Sequence, residues 1–304
     1  SLNQTPIDWD NNFQNIVAAI EKAKVQQVEL LCLPELCITG YGCEDLFLSD
    51  WLAETAFEQL LKILPFTENI TVAVGLPIRL NHKTYNGAAL LHHQKILGIA
   101  LKQNLPKDGV HYEPRWFEAW TAGEIVKIEK QGFEIDCGDL LFEINGTKIG
   151  FEICEDAWVE LEKRPGKNLL QKEVDIILNP SASHFAKGKN KVREELITNS
   201  SNLFNCIYLY VNVLGNEAGR MIYDGDVLIA QQGKLIGLNR RLSFHPLELV
   251  MVEATPQHPK LAKPTLENDI TEINEEIAQA VSLALFDYLR KSKVKGFVLS
   301  LSGG

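Results

Sequence analysis

The 304 residues hold no C-x-x-C pair, no fixed-period repeat and no apolar run near the roughly 18 residues of a membrane helix. Six cysteines, Cys32, Cys37, Cys43, Cys137, Cys154 and Cys206, are too few and too scattered for a disulfide framework in so long a chain. That excludes a stapled secreted scaffold and points to a reducing, cytoplasmic setting, with five of the six as small buried core residues. The N-terminus has neither the basic segment nor the apolar run of a signal peptide; it opens on Ser1, so trimmed residues are expected. Positive charge is in deficit, 30 Lys and Arg against 40 Asp and Glu, and the net −10 argues against a broad nucleic-acid surface. No His/Cys cluster has ligand spacing, so no metal is expected. His92 and His93 alternate along a strand and read as structural.

The composition that is present, 45% hydrophobic and 23% charged, is that of an ordinary water-soluble chain with enough material for a large core. "DNNFQNIVAAIEKAK" places Phe13, Ile16, Val17 and Ile20 at helical spacing behind Asp and Asn caps. "VELLCLP" follows as a buried strand, "LAETAFEQLLKIL" as a second helix and "ITVAVGLP" as a second strand. The period then falls to two: "TYNGAALLHH" and "KILGIALKQNL" pair as a hairpin, and "EIVKIE", "LLFEIN" and "KIGFEI" are short strands, the last two joined at Asn145-Gly146. "VDIILNP", a charged helix over 189–202 and "CIYLYVNV" repeat the strand–helix–strand order. "YDGDVLIAQQGKLIGL" is a hairpin, and "LELVMVEAT" is expected to close the sheet. Hairpins mixed with strand–helix units imply an α/β (α+β) fold, sheets inside and helices outside.

"TPQHPKLAKPT", with three prolines, reads as a linker. The main domain is therefore expected over 1–255, the linker over 256–266 and the start of a second unit over 267–304. That last part holds an amphipathic helix with Ile273, Ile277, Val281, Leu285 and Leu289 on one stripe, which needs a partner surface. After it, "GFVLSLSGG" reads as a strand running into a small-residue turn, the opening of a phosphate-binding loop.

Three stretches carry candidate chemistry. In "LLCLPELCITGYGCEDLF", Glu35 stands just past a strand, where a carboxylate faces a crevice and is suited to act as a base. In "LKQNLPKDGVHYEPRWF", Lys102 ends an apolar strand, a costly place for a lysine unless it is paired or used, and Glu113 follows after a loop. In "KIGFEICEDAW", Cys154 comes directly off a strand among Glu152, Glu155 and Asp156. Acidic neighbours keep a thiol protonated, so a nucleophilic Cys154 needs a base and a cation from elsewhere in the fold. Two have a plainer reading: a helix or turn cap on a loop for Glu35 and a snorkelling edge residue for Lys102.

These stretches resemble the Glu, Lys and Cys motifs of the nitrilase superfamily of carbon-nitrogen hydrolases. The run Gly40-Tyr41-Gly42-Cys43-Glu44-Asp45 brings the resemblance closer, to the glutamine-hydrolysing domain of the glutamine-dependent NAD synthetases. The resemblance implies an αββα sandwich, with Cys154 as nucleophile, Glu35 as general base, Lys102 as oxyanion stabiliser and Glu113 as an assisting carboxylate. "SASHFAKGK" is similar to the family's glutamine-binding segment, with Ser183 and Lys189 at its polar positions; Asp108 stands where the family has an aromatic wall of the same pocket. "VNVLGNEAGRMIYDG" keeps Asn212 and Tyr223-Asp224-Gly225 but departs from the family's Asn-Gln-x-Gly-Gly pattern between them. Ser302, Gly303 and Gly304 resemble the start of the ATP-pyrophosphate loop, so the chain is expected to stop just inside a synthetase domain. The substrates so implied are glutamine, ATP with Mg2+ and deamido-NAD, in a homo-oligomer, with no nucleic-acid or membrane partner and no cofactor in this domain. Two other readings stay open: a stand-alone amidase with another amide substrate, and a non-catalytic assembly module.

Overall fold

Apolar residues at helical spacing give α1 (Trp9–Val25), β-period residues give β1 (Leu30–Cys32), and the alternation repeats with α2 (Asp50–Ile63) and β2 (Thr71–Leu80). β3 (Lys83–His92), β4 (Lys95–Leu101), β5 (Ile125–Lys130) and β6 (Phe133–Gly138) complete a six-stranded sheet in the order β1-β2-β3-β4-β6-β5. The computed structural model from which this is taken describes residues 1–107, 110–256, 265–266, 270 and 272–301. A second sheet contains β7 (Phe142–Ile144), β8 (Thr147–Phe151), β9 (Ile176–Ser181) and β10 (Ile207–Asn212), and beyond them β13 (Val227–Gln231), β14 (Lys234–Leu238) and β15 (Thr265–Leu266). α3 (Pro165–Gln171) and α4 (Lys189–Leu203) lie between its strands in sequence, and β11 (Leu214–Asn216) and β12 (Ile222–Asp224) form a separate ribbon.

Strand alternation decides the layers. On β2, Val72, Val74, Leu76 and Ile78 turn outward to Ile16 and Ile20 of α1 and to Phe57 and Leu60 of α2. Ala73 turns inward, with Ala88, Leu90 and Ala100, onto Ile149, Phe151, Leu178 and Val211 of the second sheet. Leu169 of α3 and Ile197 of α4 cover the far face against Ile177, Tyr208 and Leu228. The result is the expected helix–sheet–sheet–helix sandwich. Asn145 and Gly146 both have left-handed backbone (φ 51° and 79°), as a two-residue hairpin turn requires. All six cysteines are free and buried. Among the described residues, no helix is long and apolar enough to cross a membrane.

Four expectations need correction. Phe133–Gly138, passed over in the sequence, is a strand that joins β4 to β5. The expected closing strand over 247–255 is not one. Its backbone is tied at one end to the N-terminus (Ser1 N to Glu248 O, 2.7 Å) while Leu249, Val250 and Val252 pack into different clusters. Two-sided burial of a single extended segment produces the same period as a paired strand. His93 lies in the β3–β4 turn at φ 45°, not opposite His92 on a strand, and the two rings meet at 4.1 Å. Residues 296–301 form no strand; among the described residues nothing pairs with them.

α5 (Ile273–Lys291) shows both of its faces plainly. Ile273, Ile277, Val281 and Leu285 are 42–49% exposed, as the stripe was expected to be, and Leu289 is half-buried. The opposite face is docked on the sandwich, not free of it. Ala280 and Leu283 pack on Leu214 and Leu242, and Glu276 pairs with Arg241 at 2.7 Å. Asp287 is fully buried and accepts from Asn3 Nδ2 (2.9 Å), Asn216 N (2.7 Å) and Arg290 Nε (2.7 Å). Of the linker read over 256–266, only residues 256, 265 and 266 lie within the described residues, the last two pairing with β14. Because Asp287 satisfies three donors at once, Asp287→Ala is expected to lower unfolding stability by about 2–4 kcal/mol. Amide exchange over 273–291 should rise in that variant, and a native exchange pattern there would show that α5 docks by its apolar contacts alone.

Candidate active site

β1, β2 and β4 run in one direction, so residues following β1 and β4 emerge at the same edge of the first sheet. Glu35 and Lys102 are those residues. The Lys102 ammonium is fully buried, 2.7 Å from Glu35 Oε1 and 2.8 Å from Glu113 Oε1. It is no edge residue. Asn86 of β3 donates to the same Glu35 oxygen (2.7 Å), and its carbonyl accepts from the Lys102 backbone amide. Gly75 on β2 allows the Glu35 loop to cross the sheet: a Cβ there would stand 2.3 Å from Leu36 N and 2.7 Å from Pro34 O.

Burial by itself would depress the Lys102 pKa; Glu113 and Glu35 outweigh it and hold the ammonium well above its ordinary range. Burial pushes the Glu113 carboxyl up to about 7, with Glu35 adding to that push and Lys102 opposing it. One oxygen on each of Glu35 and Glu113, Oε2 in both, is buried without a hydrogen-bond partner.

β8, β9 and β10 are parallel, so their C-terminal ends form the matching edge of the second sheet. Cys154 follows β8 in a left-handed conformation (φ 46°), uncommon for a residue with a side chain and found at functional turns. Its thiol is raised by burial first and then by the Glu35 charge; Lys102 works against the rise, Glu113 adds to it, and the Ala182 amide favours the thiolate. The three residues singled out in sequence therefore share one buried electrostatic site. Asp156 staples the two edges together. It accepts from Ile153 N (2.9 Å) on the cysteine side, and from Gln103 N (3.1 Å) and Asn104 N (2.7 Å) on the lysine side. Glu152 is not part of the site; it is held by Arg164, the Gly166 amide and Tyr208 Oη.

Ser183 and Lys189 lie on the segment after β9. Asn212 grips the Ser183 backbone on both sides, N to Oδ1 and Nδ2 to O at 2.8 Å each, while Arg193 reaches Ser183 Oγ at 3.3 Å. Lys189 opens α4 behind left-handed Gly188 and lies 5.9 Å from the Trp158 ring centroid; burial lowers its pKa, and it is within electrostatic reach of Cys154. Asp108, Ser302, Gly303 and Gly304 lie outside the described residues. Among the described residues, no group of three or more His, Cys, Asp or Glu is placed to hold a metal ion.

Sequence reading missed several members. Tyr41 Oη donates to Glu113 Oε1 (2.7 Å) and lies 3.1 Å from His111 Nδ1, whose Nε2 is 2.9 Å from His184 Nδ1. Glu217, in the stretch that departs from the family pattern, accepts from the backbone amides of Tyr41 (2.8 Å) and Gly42 (2.7 Å). Asn86 had a readable signal, a lone amide inside an apolar strand; the histidines had none, because loops far apart in sequence bring them together.

Residues 1–258 match the carbon-nitrogen hydrolase family. The chain belongs to the carbon-nitrogen hydrolase family. It is 30% identical, over its whole length, to a putative glutamine-dependent NAD(+) synthetase of Schizosaccharomyces pombe and to a glutamine-dependent NAD(+) synthetase of Oryza sativa subsp. indica, covering 50% and 48% of those proteins. The chain thus spans about half the length of the curated relatives it matches. The crystal structure of a glutamine-dependent NAD(+) synthetase from Cytophaga hutchinsonii superposes with TM-score 0.87 at 48% identity, over 100% of this chain and 48% of that one. An amidase from Nesterenkonia sp., 20% identical with TM-score 0.64 over 79% of this chain and 83% of that one, shares the fold.

In this carbon-nitrogen hydrolase, Asp226 lies in the wall behind Ser183, beside Asp224 and Arg193. Burial, and next the Asp224 charge, push its carboxyl up from 3.8 to about 7, against the pull of Arg193 and Arg241; its Oδ1 has no partner. A carboxyl raised in this way binds its proton more tightly folded than unfolded. Its contribution to stability is fully present below pH 3.8 and is lost as pH rises through about 7. Asp226→Asn should therefore gain stability relative to the unsubstituted chain between pH 5 and pH 8, by ~1–2 kcal/mol in denaturant titrations. A pH-independent difference between the two proteins would contradict the assignment.

Proposed function

We propose that this chain is the glutamine-hydrolysing part of a glutamine-dependent NAD(+) synthetase, cleaving the side-chain amide of glutamine through a Cys154 thioester. The observation that carries the reading is the buried Glu35–Lys102–Glu113 set in the field of a left-handed, strand-end cysteine. The names of the relatives supply the substrate.

In this reading Glu35 takes the Cys154 proton as sulfur attacks the amide carbon. A thiol held this firmly in its protonated form is unreactive until a base is at hand, and that suits a nucleophile that must ignore water and stray electrophiles. Lys102, whose ammonium stays charged, stabilises the oxyanion; one such donor is typically worth about 3–4 kcal/mol. Glu35 returns the proton to the leaving ammonia, then activates the water that releases glutamate, help worth roughly 10²–10⁴-fold. Glu113 anchors Lys102 and assists, and Ser183 and Lys189 bind the polar end of glutamine.

The remainder of the proposal concerns the longer protein. The amidohydrolase domain would occupy 1–255, the linker 256–266, and a synthetase domain would begin at 267, with Ser302, Gly303 and Gly304 opening its ATP-pyrophosphate loop. There, ATP with Mg2+ would activate deamido-NAD for attack by the ammonia made here. The supports are the match to about half the length of the relatives and, for the nucleotide, a glutamine-dependent NAD+ synthetase of Acinetobacter baumannii solved with ADP, 27% identical with TM-score 0.79.

Two outcomes follow. Cys154→Ala in the complete protein should abolish glutamine-driven NAD synthesis and leave the ammonia-driven reaction within about twofold, because the thioester steps alone use the sulfur; loss of both in a folded protein would defeat the two-site reading. Lys102→Met, keeping the stem and deleting the charge, should lower glutamate release by at least about 10²-fold. A rate near that of the unsubstituted protein would reduce Lys102 to a structural ion-pair partner.

A further inference from the structure

Glutamine hydrolysis has a proton balance that the Glu–Lys–Cys set alone does not close. Amide plus thiol gives thioester plus neutral ammonia; thioester plus water then gives thiol plus carboxylic acid, which ionises. One proton per turnover is therefore left in the site once ammonia departs uncharged. If it stays, Glu35 begins the next turnover protonated and cannot take the Cys154 proton. Glu35, Lys102 and Glu113 are fully buried, and Lys102 bridges the two carboxylates, so a proton on Glu35 reaches Glu113 by a paired exchange in which the ammonium gives one proton to Glu113 as it takes one from Glu35 and is charged before and after. From there the protein itself must offer an exit.

The geometry points to a proton relay from Glu113 through Tyr41 and His111 to His184, which discharges the surplus proton to solvent by a route separate from the ammonia. It rests on the amide-hydrolysis reading above. The links are continuous: Tyr41 Oη to Glu113 Oε1 at 2.7 Å, Tyr41 Oη to His111 Nδ1 at 3.1 Å, and His111 Nε2 to His184 Nδ1 at 2.9 Å. The inner end is buried, and both histidines are half-buried. A phenol and two imidazoles are the side chains that both donate and accept. With Glu113 ionised, each member donates inward. With Glu113 protonated, the polarity reverses: Glu113 donates to Tyr41, Tyr41 to His111 Nδ1, His111 Nε2 to His184 Nδ1, and the proton leaves from His184 Nε2. That passage leaves both imidazoles with their proton on Nδ1, so each must turn over to its Nε2–H form before the next turnover, and no bond other than O–H and N–H is made or broken.

The surroundings keep the imidazoles neutral, which a relay needs, since a doubly protonated ring accepts nothing. Burial first, then His184, Lys189, Lys102 and Arg220, lower His111 to about 3. Burial, Lys189 and Arg193 lower His184, with Asp224 opposing them. Stacking does not explain the arrangement, because the two rings are tilted by 38° with centroids 5.0 Å apart while their nitrogens face one another.

The test is steady-state glutamine hydrolysis by the full chain. His111→Phe and His111→Gln are each expected to lower kcat about 10-fold or more with KM within about twofold, and to enlarge the solvent deuterium effect on kcat. Added imidazole should restore part of the rate, and His184→Phe should give a smaller loss of the same kind. Unchanged kcat in both His111 variants, or a loss that imidazole does not repair and that moves KM equally, would overturn the relay and make His111 a packing residue. An unsubstituted chain that hydrolyses no glutamine would instead overturn the amide-hydrolysis reading, and the relay with it.

Discussion

The structure turns on one buried cation. Lys102 has no access to water, and such a group is tolerated only when its charge is met in full. Two carboxylates meet it, one from the loop after β1 and one from the turn after residue 112. That places two negative charges around one positive charge in a medium of low polarity. Burial, with the Glu35 charge adding to it, pushes Glu113 up and keeps Cys154 a thiol. The arrangement that would destabilise an ordinary core holds two carboxylates within hydrogen-bond reach of one cation.

The two-sheet architecture makes that cluster possible. Parallel strands deliver their C-terminal ends to a common edge, so Glu35 and Lys102 arrive from one sheet and Cys154, Ser183 and Asn212 from the other. Asp156 then sets the distance between sheets by bonding to backbone amides next to both the lysine and the cysteine. Because three of these bonds go to main chain, the pairing depends on the buried Asp156 carboxylate and not on a side chain from the lysine edge.

A second line of contacts runs from α5 into the same site. Asp287 holds the Asn216 amide, the next residue Glu217 holds the amides of Tyr41 and Gly42, and Tyr41 reaches Glu113. The helix that leads toward the end of the chain is therefore tied by hydrogen bonds, three of them to main-chain amides, to the residue that touches Glu113. Glu217 lies in the stretch that departs from the pattern of the resembled family.

The sequence by itself determined the helix–sheet order, the hairpins and the placing of Glu35, Lys102 and Cys154 at strand ends, because side-chain period and turn chemistry are local properties. It also determined that α5 has an apolar stripe, which the structure leaves exposed. It did not determine that Asp287 and Glu276 would be the face that docks, since a buried carboxylate reads as a surface residue until its partners are known. Residues 247–255 show the same limit from the other side: alternation records burial on two faces, and only the presence or absence of a neighbouring backbone decides whether that is a strand. The histidines make the case most sharply. His111 and His184 are 73 residues apart and unremarkable in sequence, and only the packing of two loops over one carboxylate turns them into a hydrogen-bonded pair.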